Sequence, residues 1–239
     1  MQSFSLRLLA AVALVAGLST NAYAGPVYSY NIDNPPGSDS AGDIKNIQTT
    51  FNTNNNVFSW SYTIGKDGHG NLSDGFWLVI SDGENPKSNV NEYAILYGDS
   101  DTSTITAYEY SGANNANSYN NPGVLLGSFD GLNTVDNPDE TRTIDFSIDV
   151  AGINNHISQA ANADWKGLFF GEKVGIWFHP SSGTHVSYDT YGGINSFSYD
   201  KQGWYDTKNR MTTRVPEPST LALLGIGMGA LMLRRRKLS

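Results

Sequence analysis

The chain contains no cysteine, which excludes disulfides, thiolate metal sites and a thiol nucleophile together. Charged side chains are scarce, at 16% of 239 residues. Basic ones are scarcer still between residues 25 and 215, where 22 acids stand against 10 bases for a net charge of −12. That field repels phosphate backbones, so nucleic acid is not an expected partner, and the acidity keeps an exposed protein soluble. No G-x-S-x-G turn is present to hold a serine nucleophile. No uninterrupted apolar run reaches the ~18 residues that mark a comfortable membrane-spanning helix.

Two shorter apolar runs lie at the ends. Arg7 precedes eleven apolar or small residues, Leu8 to Leu18, and Ala22-Tyr23-Ala24 then supplies the small-x-small pattern that signal peptidase accepts. This predicts a cleaved signal peptide over 1–24, export, and a mature chain beginning at Gly25. At the other end Pro216-Glu217-Pro218-Ser219-Thr220 leads into thirteen residues, Leu221 to Leu233, followed by Arg234-Arg235-Arg236-Lys237. As a helix this run measures about 20 Å against ~30 Å of hydrocarbon. It is a transmembrane helix only with flanking residues and bilayer thinning. The basic cluster is expected to stay cytoplasmic, placing the body outside the inner membrane.

The order tripeptide, short glycine-bearing apolar run and arginine cluster closely resembles the PEP-CTERM sorting signal. That resemblance implies an integral-membrane exosortase that recognises Pro216, Glu217 and Pro218 and removes the tail, so that membrane anchoring is transient. It implies a cell-surface or extracellular-matrix address as well, since PEP-CTERM systems are associated with extracellular polymer production. Asp74 to Gly83 and Gly175 to Pro180 also resemble stretches of PEP-CTERM ectodomains, a likeness that carries no activity with it.

Between the ends, Gly, Asn, Ser, Thr and aromatics dominate, a composition that favours strands and turns. In Val57–Ile64, Phe58, Trp60, Tyr62 and Ile64 alternate with Ser59, Ser61 and Thr63, the pattern of a half-buried strand. Arg142–Val150 alternates likewise, with Ile144, Phe146 and Ile148 inward. Phe76–Ile80 is apolar on both faces and reads as a central strand covered on both sides. Further strands are expected at Val27–Ile32, Ile47–Phe51, Glu92–Tyr97, Thr104–Tyr110, Val124–Phe129, Val174–Phe178, Val186–Tyr188, Ile194–Tyr199 and Gly203–Tyr205. One helical stripe, Ile153, Ile157, Ala160, Ala161 and Trp165, interrupts them, with Asn154 or Asn155 as cap and Gly167 as stop. The expected fold is all-β, an antiparallel β-sandwich of jelly-roll or lectin-like shape over 25–206, with 207–215 as linker and 216–239 as sorting segment.

Candidate chemistry is sparse. Asp145 and Asp149 share a strand face about 13 Å apart, too far for a glycosidase pair at ~5–9.5 Å. The E-x-D-x-x-E pattern of laminarinase-like sandwich glycosidases is absent. His179 and His185 flank an expected turn at 180–184 and name two of the ligands a metal would need; His69 and His156 stand alone. Oxygen-rich loops at Asp67, Asn71 and Asp74, and at Asp99 and Asp101, are the candidate Ca²⁺ ligands, although turn chemistry explains the same residues. Exposed aromatics that would stack on sugar rings are Tyr108, Tyr110, Trp177, Tyr191 and Trp204, joined by Trp77 and Tyr188. The expected function is a non-enzymatic surface or matrix protein with a structural or polysaccharide-binding role. A secreted glycan-active enzyme and a calcium-dependent adhesin are the alternatives. Signal peptidase, exosortase and extracellular polysaccharide are the expected partners.

Overall fold

A computed structural model describes residues 25, 27–82, 93–110, 123–155, 167–168, 174–206 and 213–215. The expected signal peptide with its cleavage residues Ala22 and Ala24, and the tripeptide Pro216, Glu217 and Pro218, lie outside the described residues. Val27–Val215 form one compact unit.

Two antiparallel sheets account for most of it. The first has six strands, in the order β15 (Thr213–Val215), β1 (Val27–Asp33), β2 (Ile44–Asn52), β3 (Val57–Ile64), β9 (Arg142–Asp149) and β8 (Asn133–Asp136). The second runs β13 (Lys201–Gln202), β10 (Val174–Ser182), β4 (Gly75–Asp82), β5 (Tyr93–Asp99), β6 (Thr104–Tyr110) and β7 (Leu125–Asp130), with β14 (Tyr205–Asp206) also on β10. A separate hairpin pairs β11 (His185–Tyr188) with β12 (Ile194–Ser198). The arrangement is the expected all-β sandwich with one short helix.

Period-two alternation puts the apolar sets inside. Phe58, Trp60, Tyr62 and Ile64 of β3 and Ile144, Phe146 and Ile148 of β9 meet Phe76, Leu78 and Ile80 of β4 and Ile176 and Phe178 of β10 in one core. Its aromatic rings prefer edge contacts: Tyr62 and Phe178 lie 4.6 Å apart at 61°, and Phe58 and Phe146 5.8 Å apart at 66°. Gly98 is small for a packing reason, because a Cβ there would stand 2.1 Å from the Phe76 ring. A buried hydrogen bond of 2.5 Å between the hydroxyls of Tyr30 on β1 and Tyr205 on β14 joins one sheet to the other.

The structure corrects several expected bounds. α1 is one turn, Val150–Asn154, capped by the Asp149 carboxylate on the Ala151 N–H rather than by Asn154 or Asn155. Residues 156–166 of the expected stripe lie outside the described residues, so the helix that Gly167 was expected to stop is not described; Gly167 itself has a φ of 88°. β8 had no alternation to announce it, being a short polar edge strand. Of the expected strand Gly203–Tyr205 only Tyr205 belongs to a strand, β14, while Trp204 makes an isolated backbone bridge to Ser38. The expected linker over 207–215 is in part strand, since Val27, Tyr28 and Ser29 pair with Val215, Arg214 and Thr213.

Candidate functional site

The two outer faces of the sandwich differ in chemistry. On the seven-stranded sheet, Trp77, Val79, Ile95, Tyr97, Tyr108 and Tyr110 form a second buried cluster, with Leu125, Trp177, Ile194 and Phe197 packed against it. The β11–β12 hairpin supplies Ile194 and Phe197 and so lies over this face. Tyr108 ties it down by accepting the Ile194 N–H at 2.5 Å, and burial pushes the phenol pKa up. Tyr188 donates to Asp99 at 3.1 Å, and burial raises its pKa to about 12.

The aromatic candidates therefore divide. Tyr108 and Tyr110 are buried at 5% and 3% exposure and present no ring to solvent. Trp177 is half-buried, edge-on to Trp77 at 4.9 Å. Tyr191, at the hairpin turn, and Trp204 are exposed at 87% and 44%. His179 lies within β10, which runs on to Ser182 and shortens the expected turn at 180–184; its ring is stacked 3.8 Å from Trp77, and His185 is exposed at the start of β11. The turn between them centres on Gly183, with φ of 63°.

The oxygen-rich loops hold the structure's own donors. Asp67 is buried and accepts the N–H groups of Asn71 at 2.9 Å and His69 at 2.8 Å, the Asn71 side-chain amide and the Ser182 hydroxyl. The Asn71 N–H, above all, holds its carboxyl down at about 2. Asp74 accepts the N–H groups of Gly183 at 3.2 Å and Thr184 at 3.0 Å. Asp99 accepts from Asp101 N–H, Thr102 and Tyr188. Asp101 is exposed. Among the described residues no group of three or more His, Asp or Glu converges as a metal would require. Beside these loops a polar cleft of about 330 Å³ is lined by Lys66, Asn71, Asp74, Arg142 and Asp200. Its cations are engaged: Lys66 binds Glu140 at 2.9 Å, and Arg142 reaches Asp136 at 2.5 Å. The hydrogen bond from Arg142 is the main cause that lowers the Asp136 pKa.

The outer face of the six-stranded sheet is built mostly from short polar side chains. Register aligns them in rows across the strands: Ser29, Thr50, Ser59 and Ser147; Asn31, Gln48, Ser61, Asp145 and Asn133; Asp33, Asn46, Thr63 and Thr143, which ends on the exposed Val135; and, at one end, Asn52 and Asp149 with Val27 and Val57. Cross-strand hydrogen bonds order the rows, with Ser59 to Ser147 at 2.8 Å, Thr63 to Thr143 at 2.9 Å, and the Asn133 amide donating to Asp145 at 3.0 Å. Neither a cation nor an aromatic ring stands in these rows. A shallow groove of about 280 Å³ crosses them, bordered by Gln48, Thr50, Ser59, Ser61, Asp145 and Ser147, with Thr49, Trp60 and Phe146 also lining it. The sequence signal for this face is the run of hydroxyl and amide side chains at the outward positions of the alternating strands, such as Ser59, Ser61 and Thr63.

Residues 214–237 match the family described as PEP-CTERM protein-sorting motif. No curated protein and no solved structure matches the chain. The matched segment takes in Pro216-Glu217-Pro218, the apolar run and the arginine cluster. The chain is thus an exported protein bearing a PEP-CTERM tail, an exosortase-type substrate with a β-rich ectodomain.

Proposed function

We propose that the ectodomain is a non-enzymatic module of the cell surface or extracellular matrix that binds a neutral, polyhydroxylated polysaccharide on the outer face of the six-stranded sheet. The observation that carries this reading is the ordered array of hydroxyl, amide and carboxylate groups around Gln48, Ser61 and Asp145. Hydroxyls and amides both donate and accept, as a sugar polymer demands. The cross-strand bonds of Ser59 with Ser147, Thr63 with Thr143 and Asn133 with Asp145 hold those rotamers in place before any ligand arrives, which lowers the entropic cost of binding. The net acidity disfavours anionic polymers. Asp145 and Asp149 stay about 13 Å apart along β9, which suits recognition rather than hydrolysis by a carboxylate pair.

The test is retention of the purified exported protein on insoluble neutral polysaccharides of several linkages. Binding to at least one, weakened by Gln48→Ala together with Asp145→Ala, is expected. No retention on any polymer would leave a purely structural role.

A further inference from the structure

The groove on the polar face has a direction. Two neighbouring rows border it, Thr50, Ser59 and Ser147 on one side and Gln48, Ser61 and Asp145 on the other. Each row takes one residue from each of β2, β3 and β9, so the groove runs across the strands rather than along them. The second row continues past it in both directions, to Asn31 on β1 and to Asn133 on β8. Successive groups along that row stand one strand spacing apart, about 4.8 Å. Ser59 bonds Ser147 and Asn133 bonds Asp145, whereas among the described residues no hydrogen bond engages the side chains of Gln48, Thr50 or Ser61.

Resting on the polysaccharide reading above, we propose that this groove takes the interior of a linear, unbranched polysaccharide, stretched across the strands at about one sugar unit per strand. A chain of pyranose units linked through opposite ring positions is straight and advances by close to one strand spacing per unit. Each unit of such a chain meets a further hydrogen-bonding group, so weak contacts accumulate along the row. A coiled or branched chain leaves register after a unit or two. A chain end finds nothing in the row that an inner unit does not.

Calorimetry of the purified exported protein with soluble oligomers of about two to seven units tests this. The probes are cello-, manno- and xylo-oligosaccharides, which are straight, against malto-oligosaccharides, which coil. For at least one straight series, affinity is expected to rise about tenfold or more between about two and about five units, five being the number of strands the row crosses, and to change less than about twofold beyond. Full affinity already at about two units, or a preference for the coiled series, would overturn the proposal while leaving the face a sugar-binding surface. Retention on an insoluble polysaccharide without binding of any straight oligomer would overturn it equally. No retention on any polymer would remove the polysaccharide reading itself, and this proposal with it. Asn31→Ala and Asn133→Ala, exposed at the two ends of the row, test the direction. Each is expected to weaken binding of an oligomer of about five units about threefold and to leave one of about three units nearly unchanged. Equal effects at both lengths, or none at either, would place the chain off the row and contradict the proposal. Thermal melting of both variants checks that the body is folded.

Discussion

The two outer faces of this sandwich begin from the same backbone geometry and end as opposites. On the seven-stranded sheet the outward positions of β4, β5 and β6 carry Trp77, Val79, Ile95, Tyr97, Tyr108 and Tyr110, and a hairpin covers them. On the six-stranded sheet the outward positions of β1, β2, β3 and β9 carry mostly Ser, Thr, Asn, Gln and Asp, with Val27 and Val57 at one end. An apolar face left in water would be an aggregation hazard, so it must be covered; a polar one can stay open. Most of the aromatics that looked like sugar platforms are used to hold a hairpin. The face left open is the one made mostly of small hydrogen-bonding groups.

The comparison is broken most forcefully from the covered side. Trp77 is 2% exposed and packs on Trp177 and His179, so Trp77→Ala is expected to cost about 3–5 kcal/mol. Denaturant unfolding of the exported protein measures it. Hydrogen exchange on β11 and β12 should rise with it, since their anchor is lost. If stability changed by less than about 1 kcal/mol, the hairpin would not depend on this cluster.

On the open side the same kind of change should leave the fold alone. Ser61→Arg places a long cation in the middle of the groove without touching the core. Stability is expected to move by less than about 0.5 kcal/mol, while polysaccharide retention falls about tenfold, equivalent to roughly 1.4 kcal/mol. A destabilisation comparable to that of Trp77→Ala would show that this face is packed against something after all.

Acid should act through the loops rather than through either face. The folded-state pKa of Asp67, about 2, lies below its ordinary value. The unfolded chain therefore takes up its proton first as pH falls. The stability that Asp67 contributes is present above its unfolded pKa and is lost progressively from about pH 5 to pH 2. Asp136 and Asp139 have lowered pKa values, mainly through hydrogen bonds from Arg142 and Thr141, and act in the same direction. Melting temperature against pH should show this decline, and Asp67→Asn should flatten part of it. Smallest of all, Ser59→Ala removes one exposed cross-strand hydrogen bond and is expected to change stability by only a few tenths of a kcal/mol.

Much of this architecture was readable from residue order because burial writes a period into the sequence. β3 and β9 alternate, so one face of each is buried; β4 is apolar at every position from Phe76 to Ile80, so both faces are. β8 and β15 were not readable, because a short edge strand has little to bury and leaves no pattern. The site was less legible than the fold for a related reason. Tyr108 and Tyr191 look alike in sequence, yet one lies beneath the hairpin and the other stands at its turn. That distinction rests on a tertiary contact between segments more than eighty residues apart, as the hydrogen bond from Ile194 to Tyr108 shows. Likewise Asp67 and Asp74 read as candidate cation ligands until their N–H and hydroxyl donors are seen.

The most direct measurement compares three forms of the exported protein on one neutral polysaccharide that retains the natural chain: that chain, Ser61→Arg on the open face, and Tyr191→Ala at the hairpin turn. If the polar face is the recognition surface, Ser61→Arg loses about tenfold in affinity and Tyr191→Ala binds within about twofold of the natural chain. The reverse pattern, with Tyr191→Ala lost and Ser61→Arg retained, would assign recognition to aromatic stacking at the hairpin and contradict the reading given above.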